Sequence, residues 1–139
     1  MTKEAILETL QNNEHTVIST CGLSHQPEAA LVGFGQTDQL KLIFGTYTTS
    51  KKYANIKENN KVAFVIGWAD DNVTVQYEGT ARELEKSEWE AYLNMYHAKV
   101  PSAAHYQLDP KQTYFLVTPT WIRYSDLSGD KEMIKEFYF

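Results

Sequence analysis

Cysteine is almost missing. Cys21 stands alone in 139 residues, which excludes an intramolecular disulfide or a thiolate-rich metal cluster within one chain and fits a reducing compartment. Positive charge is also scarce, with 13 Lys and Arg against 18 Asp and Glu for a formal net charge of −5. No stretch is dense in Lys or Arg, so binding to nucleic acid is not expected. No apolar run approaches the ~20 residues that span a bilayer, so no membrane partner is expected. The opening MTKEAILETLQNNE reads as a short amphipathic helix rather than a secretion signal, and a cytoplasmic location follows. The four histidines, His15, His25, His97 and His105, have neither an i, i+4 pair nor a carboxylate at ligand spacing, so no metal site is expected. Motifs for hydrolysis are lacking too. Asp70-Asp71 reads as a turn, and Cys21 as a small buried hydrophobe with no basic neighbour to lower its pKa.

The residues that are present describe one soluble domain over 1–139, 42% hydrophobic and 22% charged. Lys3 to Asn12 places Ile6, Leu7 and Leu10 on one side of a helix, with Thr2 as a cap. His15 to Thr20 and Ala29 to Phe34 form a hairpin around the turn residues Gly22 to Pro27. A third strand puts Leu40, Leu42 and Phe44 on one face. A short helix runs from Ser50 to Asn60. Val62 to Ile66, apolar without interruption, reads as a strand covered on both faces, and Val73 to Thr80 alternates as a half-wet strand after the turn Ala69 to Asn72. Ser87 and Glu90 read as a capping box for a third helix with the stripe Trp89, Tyr92, Leu93, Tyr96. The last strand, Thr113 to Thr118 and Trp121 to Tyr124, is expected to break at Pro119. Six strands in this order favour a mostly antiparallel barrel with peripheral helices over a doubly wound sheet. The apolar tail Met133, Ile134, Phe137, Tyr138 and Phe139 should dock on the barrel, across a dimer interface, or as a terminal strand edge within its own subunit.

The second helix begins against the usual electrostatic rule. A helix N-terminus carries partial positive charge, so acidic residues are favoured there, yet Lys51 and Lys52 follow the Ser50 cap. Thr46, Tyr47, Thr48 and Thr49 come just before. Hydroxyls, orphan amides and two ammonium groups would converge on one small volume, and a phosphate would satisfy all of them. A solvated lysine pair on an ordinary surface helix is the plainer alternative.

The string FGTYTTSKKYANIKENNKVAFVIGW, Phe44 to Trp68, resembles the FMN-binding core of the pyridoxamine 5′-phosphate oxidase family. GLSHQPEAALVGF, Gly22 to Phe34, and TVQYEGTAREL, Thr74 to Leu84, are similar to the flanking family segments, so the likeness runs in order from about residue 15 to 85. The resemblance implies an FMN-binding split barrel that dimerises, with FMN at the interface. Ser50, Lys51 and Lys52 would hold the flavin phosphate. Ala30, Leu31 and Val32, with Phe44, Gly45, Thr46 and Tyr47, would line the ring and ribityl chain beside Thr49. Thr74 falls where the oxidases carry a flavin-contacting polar residue, Trp68 at a post-strand aromatic, and Trp121 and Arg123 would approach the ring from the partner chain. Trp121 as core and Arg123 as a surface ion-pair residue are equal alternatives. Glu28, Ala29, Ala30 and Phe34 replace the basic residues of true pyridoxamine-phosphate oxidases, so that reaction is not expected; the length is that of small general-stress-type members. The implied function is an FMN-dependent oxidoreductase using a small-molecule substrate or electron donor, with no catalytic side chain identifiable. The alternatives are a non-enzymatic flavin or haem carrier or sensor, and a barrel that takes a deazaflavin.

Overall fold

The computed structural model describes residues 3–139; the proposed cap Thr2 lies outside them. Helix α1, Lys3–Gln11, is followed by strands β1, His15–Cys21, β2, Pro27–Gly33, β3, Gly35–Gln36, and β4, Leu42–Tyr47. Helix α2, Lys51–Glu58, leads into β5, Lys61–Gly67, and β6, Val73–Glu83. Helix α3, Lys86–Lys99, a 3₁₀ segment Pro101–Leu108, and strands β7, Gln112–Asp126, and β8, Met133–Tyr138, complete the chain. All pairings are antiparallel in the order β2-β1-β5-β6-β7-β4-β3, with β8 added to β7. The sheet curls until β2 comes close to β4, and the chain passes from β2 to β3 at Phe34. This is a split barrel with eight strands rather than six. The two beyond six are β3, too short to show a period, and β8, in which the apolar tail takes the terminal strand edge that was one of its alternatives.

Alternation is the main cause of the fold. Along β6 the odd positions Val73, Val75, Tyr77, Gly79 and Ala81 face inward while Gln76 and Glu78 face water. The barrel core gathers Ile18, Phe44, Phe64, Tyr77 and Phe115, with the Phe44 and Phe115 rings stacked at 5.5 Å and Phe64 edge-on to Tyr77 at 5.6 Å. A second cluster outside the barrel packs Leu93, Tyr96 and Val100 on Ile43, Tyr114 and Leu116. Because α3 covers this side, Leu42, Ile43 and Phe44 are all fully buried.

Four expectations are corrected. β7 does not break at Pro119. Its register against β6 shifts where Glu78 faces Trp121 and Gly79 faces Pro119, leaving Thr120 as the extra residue of a bulge. The proline falls where β7 changes neighbour, since β4 pairs with residues 112–117 and β8 with 121–126, so its missing N–H interrupts neither ladder. The α3 start is capped by Glu85 and Glu88, not Ser87 and Glu90: Glu88 accepts from the Glu85 N–H at 3.1 Å, held by Arg82 at 2.8 and 3.1 Å. β5 is not covered on both faces, for Val65 is 46% exposed. Leu40 precedes β4 in a turn with φ of 65°, yet is buried.

That turn is clamped from inside the barrel, because the Tyr77 hydroxyl donates to the Leu40 carbonyl at 2.7 Å. Tyr77→Phe leaves a buried carbonyl short of its donor and should cost about 1–2 kcal/mol in urea unfolding; an unchanged midpoint would show that the clamp is redundant. Lys99 ties α3 to the barrel, donating to the Leu10 carbonyl at 2.8 Å and Gln36 Oε1 at 2.7 Å above the Phe34 ring. Burial pulls this ammonium from the ordinary 10.5 down to about 7. Between those values the unfolded chain binds more protons than the folded one, so the contribution of Lys99 to stability rises with pH. The stability difference between wild type and Lys99→Met should therefore move in favour of wild type from about pH 6 to about pH 9, and a pH-independent difference would contradict the low value.

Candidate functional site

The start of α2 is built by side chains that the sequence placed there for local reasons. Ser50 is the N-cap, extended at φ −80° and ψ 157°, and its Oγ accepts from the Tyr53 N–H at 3.2 Å. Buried Thr46, at the end of β4, shares a 2.8 Å hydrogen bond with the same Oγ. The backbone N–H groups of Lys51 and Lys52 have no intrahelical acceptor, as in any first helical turn, and no acidic residue lies in that turn. The end of β4, the cap and two orphan amides are thus fixed at one corner.

The two lysines differ. Lys51 is exposed, and its Nζ pairs with Glu28 Oε2 at 3.3 Å. Lys52 is half-buried, burial holds its ammonium below the usual lysine range, and among the described residues it has no ion-pair partner. Lys52 alone of the pair lines the groove that opens in front of Ser50.

This groove encloses about 560 Å³, within the usual range for a small-molecule or cofactor site. One wall is β2, another the end of β4, and the roof is formed by Tyr96 of α3, Val100 at its C-cap and Tyr106 of the 3₁₀ segment. Thr46, Ser50 and Lys52 line it beside the start of α2, and Gln112 and Tyr114 line it from β7. A groove of about 600 Å³ lies elsewhere, along Cys21, Asn59, Lys61 and Thr80. Its volume is comparable, but it lacks the free helix N-terminus.

Of the residues expected at the site, Leu31, Val32, Gly45, Thr46, Tyr47, Ser50 and Lys52 line the groove. Ala30 and Lys51 line a smaller adjoining cavity of about 230 Å³. Phe44 is entirely buried in the barrel core, and Thr49 is exposed in the turn before Ser50. Trp68, 50% exposed at φ 85°, and Thr74, opposite Gly67 and Ser125, belong to the far end of β5 and β6. Trp121 lines a shallow depression on the outer sheet face with Val17, Val65 and Gln76, while Arg123 lies 3.8 Å from Glu136. The chain by itself therefore does not bring Trp68, Thr74, Trp121 or Arg123 to the groove. Tyr96, Tyr106, Gln112 and Tyr114 were missed. Tyr96 reads in the sequence as part of a core stripe, and the 3₁₀ segment carries no periodic signal.

The family model of pyridoxamine 5′-phosphate oxidase matches residues 2–126. The chain belongs to that family. A pyridoxine/pyridoxamine 5′-phosphate oxidase of Thermosynechococcus vestitus is 28% identical over 89 residues, which are 64% of this chain and 42% of that protein. A pyridoxamine 5′-phosphate oxidase-related, FMN-binding protein of Nostoc punctiforme has the same fold at a TM-score of 0.71 and 13% identity, over 99% of this chain and 95% of its own. A haem-binding protein of Mycobacterium smegmatis is similar at a TM-score of 0.78 and 14% identity, over 94% of this chain and 55% of that one. The chain thus spans about half the length or less of the oxidase and the haem-binding protein it matches.

The site is stiffened from behind α2. Glu83 Oε2 accepts from Thr113 Oγ1 at 2.6 Å, and Oε1 accepts from the Tyr53 hydroxyl and from Lys57 Nζ, each at 3.1 Å. Burial pushes this carboxyl up, but the hydrogen bonds from Thr113, Lys57 and Tyr53 with the Lys57 charge outweigh it and hold the group below its usual range. This support exists above the unfolded carboxylate range and is lost as pH falls through the lower folded value. Glu83→Ala should destabilise the protein by about 1–2 kcal/mol at neutral pH, with a smaller deficit in acid; a deficit independent of pH would show that the carboxylate charge is not what anchors α2.

Proposed function

We propose that the groove binds FMN and that the protein is an FMN-dependent oxidoreductase. The observation that carries this reading is Lys52: a half-buried ammonium with no ion-pair partner among the described residues, beside the Ser50 hydroxyl and the free amides of a helix start. A phosphate monoester would neutralise the ammonium and accept from those donors together. Thr46 and Ser50 would orient it, and Leu31, Val32 and Gly45 would border the ribityl chain and ring. When bound, the flavin would supply the electron-transfer chemistry, while the protein positions it and excludes water. Among the described residues lining the groove Lys52 is the only lysine or arginine, so this chain by itself offers no counter-ion to a second phosphate on a substrate such as pyridoxamine phosphate.

The homodimer belongs to the same proposal. Val17, Leu31 and Val65 are 37%, 69% and 46% exposed, and they lie side by side because Val17 faces both Leu31 and Val65 across the β1 ladders. A second copy on this face would cover the apolar run of β5 and bring Trp121 and Arg123 towards a neighbouring groove. A cytoplasmic setting is consistent with this reading; no helix among the described residues is long and apolar enough to cross a membrane.

A carrier or sensor that holds haem is the second reading, favoured by His15 on the groove wall and the fold shared with a haem-binding protein. The absorption spectrum of the purified protein separates the two. Flavin bands, with FMN released on denaturation, are expected. Lys52→Ala should weaken FMN by about 10- to 100-fold, in line with loss of one charge-assisted contact, and leave riboflavin almost unaffected; an equal loss for both ligands would refute the phosphate assignment. Stopped-flow reduction by a nicotinamide donor, followed by reoxidation, distinguishes an enzyme from a carrier.

A further inference from the structure

Among the described residues, three buried side-chain polar atoms have no hydrogen-bond partner: Trp89 Nε1, His97 Nε2 and the Tyr114 hydroxyl. Such atoms are scarce in folded proteins, because each loses its water without replacement. Two of them belong to α3 and do not line the groove; Tyr114 does. It is 1% exposed, and its ring is packed in place. Trp89 stands edge-on to it with centroids 4.9 Å apart, and Gly45 lies so close that a Cβ there would come within 2.9 Å of Tyr114 Cε1 and collide with Gln112 Nε2. Glycine at position 45 therefore lets both side chains lean across β4 at the groove. Burial pushes the pKa of Tyr114 up, and the Gln112 amide beside it offsets only part of that. The Gln112 Nε2 itself donates to the Thr113 carbonyl in a long bond of 3.5 Å. The phenol is thus a neutral donor without an acceptor, next to an amide that is loosely held.

We infer that Tyr114 is a ligand-binding residue of the groove, whose hydroxyl donates to a carbonyl oxygen on a flat, uncharged ring. The lining selects that chemistry. Val32, Val100 and Ala103 are apolar, and Tyr96 and Tyr106 add aromatic surface from the roof, which favours planar partners. Apart from Lys52, no lysine, arginine, aspartate or glutamate lines the groove among the described residues, so a charge on the ring would meet no counter-ion. A carbonyl oxygen is the acceptor such a ring carries, and reaching it needs only that the Gln112 amide swing aside. This site needs the groove and not the phosphate corner, so it stands apart from the FMN reading. The ring is that of the flavin itself or of a second molecule bound with it, and both would present the same oxygen to Tyr114.

Tyr114→Phe keeps the ring and removes one oxygen, and two measurements on the full-length, ligand-free protein read the result. The melting temperature should rise by about 2–5 °C, because unfolding no longer restores water to a hydroxyl that the fold had stripped. Tyr77→Phe, which breaks a made hydrogen bond, should lower it and serves as the contrast. Fluorescence titrations with FMN, riboflavin and the quinone menadione give the second readout, and the affinity of a ring that uses the hydroxyl should fall about three- to tenfold in Tyr114→Phe. Equal losses for FMN and riboflavin assign the carbonyl to the flavin, whereas a loss confined to menadione assigns it to a second molecule. An unchanged or lower melting temperature would show that the hydroxyl is already satisfied in the free protein. Unchanged affinity for all three probes, or a wild type that takes neither riboflavin nor menadione, would show that no such ring uses it; each of these results overturns the inference. Failure of FMN alone to bind, with riboflavin or menadione still weakened by Tyr114→Phe, would remove the FMN reading and leave this site standing.

Discussion

A cation that is half removed from water without a counter-ion is the constraint on which the site depends. Lys52 stands at the positive end of α2, where the helix field and its own desolvation both oppose its charge. Folding tolerates this because the barrel holds the helix start from several sides. Thr46 reaches Ser50 from β4, Ile56 is buried against the core, and Glu83 grips Tyr53 and Lys57 from the end of β6. The strain is local, and an anion would relieve it; on the proposed reading the same arrangement that costs stability in the free protein would favour a phosphate.

The neighbouring lysine shows the opposite solution. Lys51 faces outward, where Glu28 satisfies it at 3.3 Å and Asn55 secures the carboxylate. Two adjacent residues of one type thus take separate parts because successive helical positions point about 100° apart. One is aimed at the groove between β2 and β4, and the other at the strand that forms its wall.

Much of the barrel was legible in the sequence because burial there follows strict periods. Val73, Val75 and Tyr77 alternate with wet residues, and Ser50 with Tyr53 and Ile56 marks a capped helix, so β6 and α2 were placed within a few residues. The shifts occur where tertiary context overrides local preference. Pro119 reads as a strand breaker, yet its strand changes partners at that residue and loses nothing. Ser87 is the better capping residue by type, but Arg82 fixes Glu88 and the helix cap lies two residues earlier, at Glu85. The apolar tail did form a strand edge, though Met133, Ile134, Tyr138 and Phe139 remain between 40% and 77% exposed, more apolar surface than a chain usually leaves uncovered.

The site was legible only where it is contiguous in sequence. Thr46 to Lys52 is a single turn from strand to helix, and its composition alone points to the anion-binding reading that the proposed function adopts. The roof of the groove comes from residues fifty positions later, in a helix whose Tyr96 serves the outer core and the groove together and in a 3₁₀ segment without period. Nothing in their local pattern distinguishes packing from ligand contact. Conversely, Trp68, Thr74, Trp121 and Arg123 were grouped with the site by family likeness, and within one chain they lie on other parts of the sheet. If they do meet a flavin, the contact must pass between subunits, across the open face of Val17, Leu31 and Val65. On the proposed dimer, the incomplete burial of β5 and the incomplete enclosure of the groove would have one cause: a folding unit smaller than the binding unit.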